Sequence, residues 1–147
     1  MIHLFCDMSY EALARFAQSA TDKLNARMTD LPKLVFSSTL EEPLAWKNTR
    51  LVKASVADEI TALKQQAGDL LRSIGSVSLV KSMMQLGLVD RLRLLIFPLI
   101  LGSVGREPIY AVYPRTVLEL IDTSRVTTAT AVSQNLESTR TDKSQTR

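Results

Sequence analysis

Up to residue 97 the chain alternates short apolar runs with longer amphipathic stretches, and this alternation constrains the fold more than any other feature. "IHLFC" (2–6), "LVF" (34–36), "RLVKA" (50–54), "DLLRSI" (69–74) and "RLRLLIF" (91–97) read as strands. Between them the period lengthens. Ser9 opens a helix with Tyr10, Leu13, Phe16 and Ala17 on one face, and a second short helix runs to Asp30 before Pro32. Residues 39–49, with Pro43 and Trp46, keep no period and read as a loop. Ser55 is a suitable N-cap, Asp58 and Glu59 suit the helix dipole, and Val56, Ile60, Leu63 and Ala67 form one face, with Gly68 as the stop. After Gly75 a further helix turns Leu79, Val80, Met83 and Met84 inward and ends at Gly87.

Strands and helices alternating at this spacing predict right-handed βαβ crossovers and a mostly parallel central sheet covered on both faces. The expected fold is a three-layer α/β domain over residues 1–136. After Pro98, "LILGSVGREPIYAVYPR" reads as a Gly- and Pro-punctuated loop. "TVLELIDTS" and "RVTTATAVS" then read as antiparallel strands closing the C-terminal edge. Residues 137–147 read as a disordered tail, because no apolar residue remains from Ser138 onward.

Charge and cysteine content narrow the function. The net charge of +3 comes without a basic block, so no nucleic-acid partner is expected. Cys6 is the sole cysteine, which fits a reducing compartment, and one His with one Cys makes no His/Cys zinc site, so no metal is expected. "MIHLFCDMSYE" lacks the build of a secretory signal, and "LRLLIFPLILG" (92–102) is too short to span a bilayer. A cytoplasmic protein without a membrane partner is expected.

In open parallel sheets, ligands bind at the carboxyl ends of strands. Three such junctions stand out: Cys6-Asp7 into the first helix, Ser37-Ser38-Thr39 after the second strand, and Gly75-Ser76 before "VSLVKSMM". At the last, Gly75 admits close approach to the backbone, Ser76 and Ser78 carry hydroxyls, and a helix N-terminus favours an anion. Spacing alone leaves a phosphate cradle and an ordinary strand-to-helix turn both open. Ser37, Ser38 and Thr39 read either as phosphate ligands or as a polar loop start. His3 and Cys6 read as packed residues, and Met83 and Met84 as core. Trp46 reads either as a stacking surface or as cover for an edge. No carboxylate pair or Ser-His-Asp set is visible, so an enzyme built on this chain would lean on a bound cofactor.

The block "DLLRSIGSVSLVKSMMQLGLVDRLRLLIFPLILGSVGREPIY" resembles the dihydrofolate-reductase-like proteins related to the bacterial riboflavin-biosynthesis reductase. The shared pattern is a strand ending in Gly-Ser, a helix, a "GLVDRL" step at 87–92, a strand, and "PLILGSVG" at 98–105. Upstream, "LPKLVFSSTLEEPLAWKNTRLV" resembles the family's "LPK-strand-S-x-TL" segment, and "MSYEAL" resembles its helix start.

This resemblance implies an NADPH-dependent reductase transferring hydride to a pyrimidine or pteridine-like small molecule. The expected activity is like that of 5-amino-6-ribosylaminouracil phosphate reductase or dihydrofolate reductase. It places Gly75, Ser76, Val77, Ser78 and Leu79 along the cofactor pyrophosphate and Ile74 near the nicotinamide. Ser37, Ser38 and Thr39 fall at the adenosine end, and Ser9 at a second phosphate. No catalytic acid or base is assigned. The chain departs from the pattern at Cys6-Asp7, where the family has Gly-Arg, at Val77, where glycine is common, and in lacking a counterpart of the family's first strand. Asp7 should weaken NADPH binding electrostatically. An uncovered sheet edge implies a homodimer. The rival expectation is a degenerate, non-catalytic member acting in self-association or binding.

Overall fold

Ile2–Cys6 forms β1, and it has parallel neighbours on both edges. On one side lies β2 (Lys33–Phe36), in register from His3↔Lys33 to Cys6↔Phe36; on the other lies β4 (Leu71–Ser73). With β3 (Thr49–Val52) outside β2, the sheet order is β3-β2-β1-β4, parallel throughout. The helices are α1 (Asp7–Ser19), α2 (Lys23–Asp30), α3 (Val56–Gln65) and α4 (Val77–Gln85). The structure is a computed structural model describing residues 1–19, 23–66, 68, 70–102, 113–126 and 131–138. The chain divides into two units, Met1–Met83 and Met84–Arg147.

In the first unit the central strands read as expected for a parallel interior. Leu4, Phe5, Leu34, Val35 and Phe36 are buried. Phe5, Val35, Tyr10, Ala14 and Trp46 form one core cluster, with Leu13, Ala17 and Ile74 packed against it. Phe16, expected on that inner face, is 58% exposed. At 100° per residue it falls well off the stripe that Tyr10, Leu13, Ala14 and Ala17 define. Asp7 carries α1 two residues further toward the N-terminus than expected, its carboxylate suiting the first turn. Ile60, Leu79 and Met83 are buried as the helical periods predict, and Ala67 lies outside the described residues. Ser55 sits at the N-cap of α3 but makes no side-chain capping bond.

Trp46 turns out to be core. Its ring packs 5.8 Å from Phe5 and 6.2 Å from Tyr10, its Nε1–H donates to Thr29 Oγ1 at 3.0 Å, and its amide donates to the Tyr10 hydroxyl at 3.0 Å. The Lys33 ammonium lies 4.8 Å from the Trp46 ring centroid. Lys33 is only 1% exposed, and its Nζ donates to the carbonyls of Met28 (3.1 Å), Thr29 (2.8 Å) and Leu31 (2.6 Å), closing the C-terminal end of α2 onto β2. His3 is buried too, and among the described residues neither ring nitrogen has a hydrogen-bond partner. Burial foremost, then Arg72, Lys33 and the chain terminus, lower its pKa below 6.5.

The second unit departs most from expectation. β5 (Arg91–Ile96) does not extend the parallel sheet; it pairs antiparallel with β7 (Ala131–Ser138), which also pairs antiparallel with β6 (Leu118–Val126). The result is a separate three-stranded sheet, order β5-β7-β6. β6 continues to Val126, past the break expected after Ser124, and β7 includes Glu137 and Ser138, two positions expected in the tail. The rest of that tail, 139–147, lies outside the described residues, as do 103–112 of the expected loop. Among the described residues no helix is long and apolar enough to cross a membrane.

Burial pulls the Lys33 pKa from 10.5 down to about 8, with Asp30 pulling it up and Lys47 down. Between those two values the unfolded chain holds a proton that the folded chain has released, so stability rises with pH across that window. Urea unfolding of wild type should show this rise, and Lys33→Met should lack it. At pH 7 the variant should be less stable by about 1–3 kcal/mol, because three carbonyls lose their donor.

Candidate functional site

Parallel pairing brings the carboxyl ends of β4, β1 and β2 to one edge of the first-unit sheet, and the three junctions expected to meet a cofactor lie there. β1 passes into α1 without a loop, Cys6 ending the strand and Asp7 starting the helix. β4 passes into α4 through Ile74-Gly75-Ser76. β2 runs out into Ser37-Ser38-Thr39.

The first two junctions are tied together. The Cys6 amide donates to both Ser9 Oγ (3.2 Å) and Ser76 Oγ (3.2 Å), which also hydrogen-bond each other. Ser9 Oγ donates back to the Cys6 carbonyl at 3.0 Å. Ser76 is 1% exposed, so its hydroxyl serves as a clip between β1 and α4. Its carbonyl accepts the first helical bond, from the Val80 amide at 2.9 Å. Ser9 and Ser76, expected on phosphates, therefore turn their side chains to each other and to the β1 backbone.

Gly75 has φ +68°, and a Cβ built there would meet nothing within 4 Å. The glycine is needed for its left-handed backbone, and the space above it is open. Next to it, Val77 and Ser78 are exposed and Leu79 is buried in the first turn of α4, where helical amides have no intrahelical acceptor. The Val77 amide donates to the Gly75 carbonyl at 3.1 Å, so the open turn at Gly75 and the amides of residues 78 and 79 remain able to take an anion, while the Leu79 side chain belongs to the core. Ile74 is half-buried against the core cluster.

At the third junction, Ser37 Oγ and Thr39 Oγ1 both donate to Asp7 Oδ2, at 3.0 and 3.1 Å. Ser37 Oγ also accepts from the amides of Thr39 (3.1 Å) and Leu40 (3.0 Å). Ser38 is exposed; its carbonyl and that of Leu40 accept from Lys53 Nζ at 3.1 and 2.6 Å. Sequence reasoning missed Lys53 and the bracing of Asp7. A Lys closing a short strand carries no distinguishing pattern, and hydroxyls thirty residues from a carboxylate give no local signal.

The Cys6 thiol is held at this edge, with Sγ 3.4 Å from Ser9 Oγ. Burial pushes its pKa up, but hydrogen bonds from Ser9, Ser78 and Ser76 outweigh that, leaving it below 9.0.

The RibD C-terminal domain family matches residues 8–132 of the chain. That span takes in Ser9, Ser37–Thr39 and Ile74–Leu79. No curated protein sequence matches at a significant level. Among solved structures, the crystal structure of a pyrimidine reductase-like protein from Corynebacterium diphtheriae is similar, with TM-score 0.63 and 14% identity over 95% of this chain and 75% of that one. At that identity the likeness speaks for the fold, which is α/β with a parallel sheet and antiparallel C-terminal strands.

The Cys6 geometry is checked by alkylation. The pH at which iodoacetamide modification reaches half its limiting rate should lie below 9.0, and Ser9→Ala should move it upward by removing the bonds that hold the thiolate.

Proposed function

The chain belongs to the RibD C-terminal domain family, and from that premise we propose that it is a reductase acting on a small pyrimidine or pteridine-like ring. The cofactor of this reading is a reduced nicotinamide dinucleotide at the carboxyl edge of the parallel sheet, NADPH in the pattern that the family resemblance implies. The observation that carries it is Gly75: a left-handed turn with open space over it, leading straight into α4 beside the end of β1.

The donor set fits a pyrophosphate there. Backbone amides at a helix start supply the hydrogen bonds, so the side chains of Ser9 and Ser76 are free to hold the strand ends in place. When bound, the dinucleotide supplies the hydride. The chain's own part is to fix the cofactor and to set the charge around it, with Ile74 offering an apolar surface next to the turn. No side chain is assigned as acid or base.

A second reading, a binding module without catalysis, is favoured by a specific observation. The hydroxyls of Ser9, Ser37, Thr39 and Ser76 are all engaged within the protein, and Asp7 adds negative charge to the edge. Self-association as a homodimer fits either reading. It is supported in the second unit by the exposure of Phe97, Leu99, Ile100 (96%) and Leu101 beside β5. Light scattering at micromolar concentration should give twice the 16.3 kDa chain mass, and a strict monomer would overturn the homodimer.

Calorimetric titration of the full chain with NADH and NADPH tests the main reading. Saturable binding of at least one is expected, and none at about 1 mM cofactor would leave the binding module as the better account. Gly75→Val should weaken binding at least about tenfold, because a β-branched residue at φ +68° strains the turn, at a stability cost on the order of 1–2 kcal/mol.

A further inference from the structure

At the edge assigned to the dinucleotide, one side chain opposes the form of cofactor that the family pattern implies. Resting on the reading above, we propose that Asp7 selects a dinucleotide with a free 2′-hydroxyl on its adenosine ribose, NADH, over the 2′-phosphorylated NADPH.

The placement follows from the sheet. In the order β2-β1-β4, the 37–39 loop and the Gly75 turn stand two strand spacings apart, roughly 10 Å, with Asp7 at the end of the strand between them. The tie from the Cys6 amide to Ser76 Oγ fixes the residue before Asp7 against the start of α4. A dinucleotide with its pyrophosphate on the first turn of α4 and its adenosine end at the 37–39 loop carries its adenosine ribose past Asp7.

The chemistry at that point favours hydroxyls over phosphate. Asp7 Oδ2 takes the hydroxyl hydrogens of both Ser37 and Thr39. The amides of Thr39 and Leu40, which would otherwise cradle a phosphate, donate to Ser37 Oγ. The loop has therefore turned its donors inward, around a carboxylate. Oδ1 of Asp7 accepts no hydrogen bond from the described residues, so it is available to a ribose hydroxyl, which can donate. A phosphomonoester carries close to two negative charges and has no such hydrogen to offer at neutral pH, so it meets repulsion instead. The cation of this loop, Lys53, is committed to the carbonyls of Ser38 and Leu40 from the end of β3, on the far side of β2 from β1. An acid at a strand end taking ribose hydroxyls, and an arginine taking a 2′-phosphate, is the general division of labour in dinucleotide sites on parallel sheets.

The test is calorimetric titration of the wild-type chain and of Asp7→Asn with NADH and with NADPH at low salt. Wild type should bind NADH at least tenfold more tightly, about 1.4 kcal/mol. Asp7→Asn keeps an acceptor for Ser37 and Thr39 while removing the charge. It should tighten NADPH binding severalfold, leave NADH equal or weaker, and bring the ratio toward one. A wild type that binds NADPH as tightly as NADH, or more so, overturns the selection while leaving the reductase reading intact. Equal weakening of both cofactors in the variant overturns the role of Asp7 and marks it as a structural brace. Binding of neither cofactor removes both the selection and the reading beneath it. If Asp7→Asn does not fold, the wild-type ratio still decides, and its fall with added salt gives the second measure, since repulsion of NADPH should be screened and NADH binding should change little.

Discussion

Everything at the candidate site depends on β1 being held between two parallel neighbours. A strand with β2 along one edge and β4 along residues 2–4 of the other lies in the interior of a parallel sheet, where side chains on both faces are covered and tend to be apolar. Leu4 and Phe5 are buried, and so is His3, whose ring nitrogens have no hydrogen-bond partner among the described residues. Parallel pairing then has a directional consequence. Three strands running the same way end on the same edge, so residues 6–7, 37–39 and 74–76 converge although up to seventy positions separate them. The Cys6 amide marks the point of convergence. It lies past the last residue of β1 paired with β4, and two serine hydroxyls from two different helix starts receive it.

The same constraint explains which parts of the fold were legible. Short apolar runs and 3.6-residue periods report burial directly, so the four strands of the parallel sheet and the inward faces of α3 and α4 could be read from the sequence. β5 could have been read better. "RLRLL" alternates charge and leucine with period two, and Arg91 and Arg93 are exposed while Leu92 and Leu94 are half-buried. Such alternation belongs to a strand with one wet face, the antiparallel kind, and not to the interior of a covered parallel sheet. Trp46 and Lys33 were not legible at all. A tryptophan in an aperiodic loop shows no sign that it will close the core over Phe5. A lysine is buried here only because the carbonyls ending α2 and the Trp46 ring together satisfy its ammonium. Those partners are assembled by the tertiary fold.

At the site, position was legible and role was not. Sequence pattern located Ser9, Ser37, Thr39 and Ser76 at strand ends, where a ligand would bind. It could not tell whether each hydroxyl faces outward to a ligand or inward to the protein. In the structure all four hydroxyls are hydrogen-bonded within the protein, Thr39 from an exposed position. Hydrogen bonds of about 3 Å from Ser37 and Thr39 to Asp7, and from Ser9 to the Cys6 carbonyl, hold the strand ends rigid. What remains outward is backbone: the Gly75 turn and the amides of residues 78 and 79 in the first turn of α4. A phosphate site made of amides leaves little trace in sequence beyond one glycine, so Gly75-Ser76 taken alone could not be told from an ordinary turn.

Asp7 joins fold and function in one side chain. As the first residue of α1 it complements the helix dipole, and as the acceptor for Ser37 and Thr39 it draws the β2 loop onto β1. Both contributions require a negative charge or a good acceptor at that position, and both would be lost with an arginine there. A basic residue at the first turn would oppose the dipole, release the two hydroxyls and free the Thr39 and Leu40 amides if Ser37 turned away. The loop would then regain its phosphate donors at the moment it gained a cation. The two arrangements, acid with inward donors and base with outward donors, are each self-consistent, and a mixture of the two is not. The sign of charge at the edge is therefore built into the local packing of the strand ends, and it reaches any ligand through the same hydroxyls that hold β1 and β2 together.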